Sequence, residues 1–237
     1  MTPRSEETAS QSGESTTPNA LAGIYAARFE ETGTAKRNQV WKVLCDAHFN
    51  RMIGADATVL DIACGYGEFI NNIAAARKFA IDLNPDAAQR LGPDVTYHMT
   101  PATDLSMLED GSIDVAFTSN FLEHLPSKVV LDDVFAEVLR VLRPGGRFIV
   151  LGPNIRYAYA EYWDYYDHYL ALSHLSLEEG MGLAGFEVTE VIPRFLPYTM
   201  KGKTPTHPLL VRAYLAIPLA WKVLGKQFLV TARKPSC

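Results

Sequence analysis

The sequence predicts an α/β domain built on a seven-stranded, mainly parallel sheet with helices on both faces, and three observations carry the prediction. Short apolar runs of strand length recur along the 237 residues, most of them separated by segments of helical spacing. The run at 58–62 opens directly into a turn containing Gly65 and Gly67. A helical ladder, Leu131, Val134, Phe135, Val138, Leu139 and Leu142, then ends at the stop Pro144-Gly145-Gly146 and is followed by another apolar run.

Taken in order, residues 21–53 have helical spacing, with Ile24, Ala27 and Phe29 early and Val40, Val43 and Leu44 later, and are expected to form an N-terminal helical cap. Residues 58–62 read as a buried strand, 64–67 as the glycine turn, 68–77 as a helix and 78–82 as the second strand. Asn84-Pro85-Asp86 opens a helix, because Asn caps well and Pro suits the first helical position. A third strand is expected at 95–98. A fourth follows the turn signal Glu109-Asp110-Gly111-Ser112, at 113–118. After the ladder come a strand at 147–151, a helix at 175–184, and strands at 185–191 and 227–232. A sheet of this kind binds ligands beyond the carboxyl ends of its strands, where strand order reverses.

The length suits one elaborated domain, 21–237, with acceptor-side insertions at 153–174 and 192–225. Residues 1–20, rich in Ser, Thr, Glu and Pro, are expected to be a disordered tail and contain no apolar run of the secretory kind. The 27 acidic residues outnumber the 22 Lys and Arg, giving a net charge of −5, so no overall positive field draws nucleic acid, and none is expected as a partner. Cys45, Cys64 and Cys237 lack paired or metal-ligand spacing, which implies a reducing, cytoplasmic setting and no bound metal. The apolar stretch 208–220 is broken by Arg212 and Pro218 and is shorter than the roughly 20 residues a spanning helix requires. Core packing, a homodimer contact and peripheral contact with a membrane remain open for it.

The chemistry concentrates in Val59-Leu60-Asp61-Ile62-Ala63-Cys64-Gly65-Tyr66-Gly67. Glycines after a strand let the backbone approach a ligand and leave N–H groups for an anionic group. A dinucleotide turn would carry a third glycine where this chain has Ile70. Asp82, at the end of the second strand, stands where a carboxylate can accept both hydroxyls of a ribose; the alternative is a cap for the helix at Pro85.

These segments resemble the class I S-adenosylmethionine-dependent methyltransferases. Leu60-Asp61 through Gly67 is similar to that family's first motif and Ile81-Asp82-Leu83 to its second. Asp110-Gly111-Ser112-Ile113-Asp114 resembles the approach to the fourth strand, Ser119-Asn120 through His124-Leu125 the loop after it, and Leu142-Arg143-Pro144-Gly145-Gly146 the junction to the fifth strand. The resemblance spans residues 57–152 and implies a Rossmann-like sheet whose last strand is antiparallel, with S-adenosyl-L-methionine as cofactor. It implies cofactor contacts from Asp61, Ala63, Gly65, Gly67, Asp82, Leu83 and Asn120, with Leu83 against adenine. The third motif departs from the family: Pro101-Ala102-Thr103-Asp104 has no acid at 101. Ala102 and Thr103 are therefore the expected adenine neighbours, through a shifted acid or backbone alone. Tyr25, Arg28 and Arg37 could close over the cofactor and pair with its carboxylate, or be merely solvated.

On the acceptor side, six of the eleven tyrosines lie between 157 and 169, with Trp163, Asp164, Asp167 and His168 among them and His174 following. Aromatic faces suit a sugar ring or flat apolar acceptor, and a packed lid is the equal alternative. Methylation of an alcohol calls for a general base, for which His168 stands first and His174 and His124 follow. The segments 162–168, 195–199 and 224–227 are similar to methyltransferases of bacterial polysaccharide or glycolipid assembly, implying O-methylation of a small-molecule, glycan or glycolipid acceptor. The rival readings are a nicotinamide-dependent short-chain reductase, which lacks its Tyr-x-x-x-Lys here, and a non-catalytic cofactor-binding subunit.

Overall fold

The computed structural model describes residues 31–198 and 207–236. Seven strands form one sheet in the order β3-β2-β1-β4-β5-β7-β6: β1 (Thr58–Ile62), β2 (Arg77–Asp82), β3 (Val95–Met99), β4 (Ile113–Ser119), β5 (Leu142–Pro153), β6 (Glu187–Ile192) and β7 (Gln227–Arg233). β1 to β5 pair in parallel, and β7 runs antiparallel to both β5 and β6. The order reverses at β1, which has β2 on one side and β4 on the other. The expected doubly covered sheet, with its antiparallel last strand, is the one observed.

Strand alternation explains the two layers of core. Leu60 and Ile62 of β1, Ala116 of β4 and Phe148 and Val150 of β5 face one side. There they meet Leu131, Val134, Phe135 and Val138 of α2 (Lys128–Val141) and Leu177 and Met181 of α4 (His174–Leu183). Val59, Val115, Phe117, Ile149 and Leu151 face the other side. That side packs on α1 (Glu31–Leu44), the π-helical turn Cys45–Phe49 and the short helical turn Asn50–Ile53 that continue it, and on α5 (Pro208–Leu215). Each fully buried Leu, Ile or Phe contributes roughly 1.5–3 kcal/mol. Two further helices, α3 (Ile155–Tyr162) and α6 (Pro218–Leu224), lie in the two expected insertions. Among the described residues no helix is long and apolar enough to cross a membrane. The expected tail 1–20 lies outside the described residues, as does the first part of the cap.

Three local expectations change. The helix expected at 68–77 is only a short turn, closed by the Asn71 N–H on Gly67 O and the Ile73 N–H on Phe69 O, both at 3.0 Å. Asn71 and Asn72 divert their side chains to backbone and neighbours: Asn71 Oδ1 accepts from the Gly92 N–H and Asn72 Nδ2 donates to Glu68 O. Such competition is why Asn is a weak helix former. The helix at Pro85 is a 3₁₀ turn over Pro85–Gln89, capped as expected by Asn84, whose side chain accepts the Asp86 N–H at 3.0 Å. β6 begins at Glu187 because Gly185, at φ +101°, still belongs to the turn.

Candidate active site

At the switch point, the chain leaves β1 through a backbone that few residues tolerate. Ala63 has φ +55°, Gly65 +58° and Gly67 +74°. Ala63 and Asn120, the latter at φ +49° where the chain leaves β4, are the two non-glycine residues in this region among the described residues. Both stand at carboxyl ends of adjacent strands, and strain of this kind persists only where surrounding structure enforces it. A Cβ on Gly67 would meet the side chain of Leu91, so the turn is packed as well as bent.

Asp82 ties the turn to β2. Its Oδ2 accepts the Gly65 N–H and its Oδ1 the Asn84 N–H, each at 2.7 Å. The helix-cap role belongs to Asn84, which leaves Asp82 with a spare acceptor position on each oxygen. The Tyr97 hydroxyl donates to Asp82 O and Asn84 O at 3.0 Å, bracing the end of β2 from β3. Thr118 Oγ1 does the same between β4 and β1, donating to Ile62 O at 2.8 Å.

The electrostatics are acidic. Asp61 is 3% exposed, and burial first, then the nearby Asp82 and Glu68 charges, raise its carboxyl well above the ordinary range. Burial likewise raises Asp82, opposed by its backbone hydrogen bonds. The same surroundings push the Cys64 thiol far up, so Cys64 is no nucleophile. Three buried side-chain atoms around the strand ends lack a protein partner: Asp61 Oδ2, Asn84 Nδ2 and Asn120 Oδ1. Buried polar atoms without partners are costly and call for a ligand or water. A donor carrying a cationic sulfonium, an ammonium and ribose hydroxyls, but no phosphate, fits this set. A pyrophosphate would meet Asp61, Asp82 and Glu68 as like charges.

The remaining expected donor residues are found at several places. Leu83 is partly exposed beside Asp82, and Ala102 is buried and Thr103 partly exposed in the loop after β3. The shifted acid Asp104 is exposed and accepts the Ser106 N–H at 3.1 Å, so it serves its own loop. Arg37 does not stand apart as a carboxylate clamp: its Nε lies 2.9 Å from Glu68 Oε1, joining α1 to the glycine turn. Tyr25 and Arg28 lie outside the described residues.

Of the three candidate bases, the structure brings two together. His124 follows β4 in a 3₁₀ turn, and its Nδ1 lies 2.9 Å from Asp167 O and 3.2 Å from Asp167 Oδ2. Its Nε2 lies 4.0 Å from Glu123 Oε1, and its ring meets the His168 ring edge-on at 4.9 Å. Burial would lower the His124 pKa, but Asp167 and Glu123 outweigh it and raise it above the ordinary imidazole value. Glu123, also buried, is raised by that burial. Glu123 O holds the incoming segment by accepting the Tyr169 and Leu170 N–H groups at 2.8 and 3.1 Å. Ligand atoms of Glu123, His124 and His168 lie within 4.8 Å of one another, a set able to share a proton or take a metal, where the sequence led us to expect no metal-ligating residues. Positions 123 and 168 are too far apart for any spacing rule to join them.

His174 is not part of this cluster. Its Nδ1 lies 2.9 Å from Asn154 Nδ2, a donor only, so the imidazole proton sits on Nε2. Burial, then Arg156, lowers its pKa, and it stacks on Tyr157 at the start of α4. The tyrosine segment divides in the same manner. Tyr162 is fully buried, with its hydroxyl donating to Leu170 O, whereas Tyr166 and Trp163 are exposed. Sequence reasoning found Asn84 only as a helix cap and did not single out Tyr97, Glu68 or Glu123, none of which carries a periodic or spacing signal of its own.

Comparison with known proteins agrees with this geometry. A family model described as a methyltransferase domain matches residues 60–150. A probable S-adenosylmethionine-dependent methyltransferase of Mycolicibacterium smegmatis is 31% identical over 192 residues, 75% of this chain and 71% of its own length. A sterol 4-C-methyltransferase of Caenorhabditis elegans is 33% identical over 133 residues, 52% of this chain; the match spans only 38% of that protein, so this chain covers well under two thirds of it. A solved S-adenosylmethionine-dependent methyltransferase from Archaeoglobus fulgidus superposes with a TM-score of 0.61 at 19% identity, covering 84% of this chain and 94% of its own.

Proposed function

The chain belongs to the S-adenosylmethionine-dependent methyltransferases, and we propose that it methylates a hydroxyl oxygen of a small-molecule or glycan acceptor, in polysaccharide or glycolipid assembly. When bound, S-adenosyl-L-methionine supplies a methyl already activated on a cationic sulfur. The chain's own work is therefore to hold donor and acceptor in line, exclude water and remove a proton. In this reading Asp82 accepts the ribose hydroxyls through its spare positions. Asp61 and Glu68 favour the cationic donor, while Leu83, Ala102 and Thr103 border the adenine and Asn120 Oδ1 receives a donor or acceptor N–H.

The observation that carries the oxygen acceptor is the His124–Asp167 pair. With Nδ1–H held by Asp167, the basic nitrogen of His124 is Nε2. As the acceptor oxygen takes the methyl, its proton passes to Nε2, and Asp167 and Glu123 stabilise the imidazolium so formed. His124 thus replaces His168 as first candidate, because its Nδ1 lies 3.2 Å from the Asp167 carboxylate and leaves Nε2 as the basic nitrogen. Exposed aromatic faces at Tyr159, Trp163, Tyr166 and Tyr169 lie along the same segment and suit a sugar.

The test is to incubate the chain with methyl-labelled donor and fractionated glycans, glycolipids, sterols and small metabolites, and to locate the label by mass spectrometry. An O-methyl ether on a saccharide is the expected product. Label on carbon, as in the named activity of the C. elegans relative, or only on protein or RNA, overturns the acceptor reading.

A further inference from the structure

The C-terminal hairpin has an outer face that neither the donor cradle nor the acceptor cluster uses. α5 and α6 turn their inner side chains into the core: Leu215 is buried, the Tyr214 hydroxyl donates to Phe195 O at 2.6 Å, and Trp221 Nε1 donates to Tyr214 O at 2.9 Å. Trp221 packs edge-on against Phe195 with centroids 5.1 Å apart. A surface helix so anchored ordinarily presents polar residues outward. Here the outward side is apolar too. Leu209 is 70% exposed, Leu219 71% and Val223 66%, with Leu210, Ile217 and Leu224 each more than half exposed. Leu219 and Val223 stand four apart on one face of α6, and Pro218 sets the corner between the helices. Exposed apolar side chains concentrated in this way on two successive helices mark an interaction surface.

Charge identifies the partner. All 27 acidic residues precede position 191 in the sequence, whereas Arg212 and Lys222 lie on the hairpin helices. Arg212 and Lys222 are exposed on the helices themselves. A chain of net charge −5 thus sets exposed cations beside the exposed apolar side chains of its two C-terminal helices. A second copy of the chain would set these cations against themselves across a two-fold axis. An anionic surface with an apolar interior satisfies both features.

We propose that the α5–α6 hairpin seats the protein on an anionic phospholipid bilayer, with Leu209, Leu219 and Val223 entering the acyl boundary and Arg212 and Lys222 meeting headgroup phosphates. The segment leading into the hairpin reaches the acceptor side, because Tyr198 packs against Tyr165, whose ring lies 5.1 Å from that of His168. The docking stands independently of which atom is methylated.

The test is co-sedimentation of the full chain with phosphatidylcholine vesicles and with vesicles also containing phosphatidylglycerol. Binding to the anionic vesicles, weakened by salt, is expected, and the double variants Leu209→Asp/Leu219→Asp and Arg212→Glu/Lys222→Glu each lose about tenfold or more of it. Both variants alter only exposed side chains, and unchanged circular dichroism and donor affinity verify the fold. Equal binding to both vesicle types, or none, overturns the proposal. So does a concentration-dependent dimer that Leu219→Asp dissociates, seen by light scattering without vesicle binding.

Discussion

The donor cradle and the acceptor cluster stand at the ends of neighbouring strands but are built by different means. In the cradle, side chain meets backbone over short stretches: Asp82 holds the Gly65 and Asn84 N–H groups, and the turn from Ala63 to Gly67 carries its own strained dihedrals. In the acceptor cluster, Glu123 and His124 meet Asp167 and His168 across more than forty residues of chain. A site of the first kind is set by residues near one another in the chain, whereas one of the second kind depends on how distant segments fold back onto it.

Breaking the acceptor cluster should have the largest effect. His124→Ala is expected to lower turnover by roughly 10²- to 10⁴-fold, the usual contribution of a positioned base, with donor affinity unchanged by calorimetry. Asp167→Asn should lower turnover less, and the pH–rate profile should report it. In the wild type the rate rises as His124 loses its proton, at a pH above the ordinary imidazole value, and Asp167→Asn moves that rise to lower pH because a raising charge is gone. Normal turnover in His124→Ala would return the role to His168.

On the donor side a smaller change is expected. Asp82→Ala should weaken S-adenosylmethionine binding by at least about tenfold, because hydrogen bonds to a charged acceptor are worth roughly 1.5–3 kcal/mol each. Turnover at saturating donor should largely survive, which separates this variant from His124→Ala. Unchanged affinity would remove Asp82 from the ribose. The smallest effect is at Ala63. Its αL backbone costs roughly 1–2 kcal/mol, and glycine there gives up about 0.4–1 kcal/mol through the unfolded chain. Ala63→Gly should therefore raise the melting temperature slightly, and a lowered one would show that the methyl packs favourably.

The same contrast explains what the sequence disclosed. The sheet was legible because each strand is a short apolar run and α2 a clear ladder, and the cradle because Asp61, Gly65, Gly67 and Asp82 fall at fixed offsets from two strand ends. The helix after the glycine turn was not, since Asn71 and Asn72 spend their side chains on contacts with distant residues that local propensity does not register. His124 did not stand first among the bases because its merit depends on Asp167, and nothing in the sequence shows Asn154 holding the Nδ1 of His174. The outward face of the hairpin, likewise, is an exposure and not a composition: the apolar run 208–220 read more readily as core packing or a dimer contact.

An acidic cradle whose carboxyl groups have raised pKa values should grip a cationic donor with release of protons, and proton-linked titration calorimetry reads this. Asp61 and Asp82 have folded pKa values raised above their unfolded ones, so without donor their contribution to stability is present at acid pH, below the ordinary carboxylate value, and is lost as pH rises through the raised values. A cationic donor prefers the ionised carboxylates. Its affinity should climb with pH above the ordinary carboxylate range, protons should be released on binding in a buffer-dependent heat, and Asp61→Asn should flatten the rise. Affinity that is constant across that range, with no proton released, would mean that these carboxyl groups do not hold the donor.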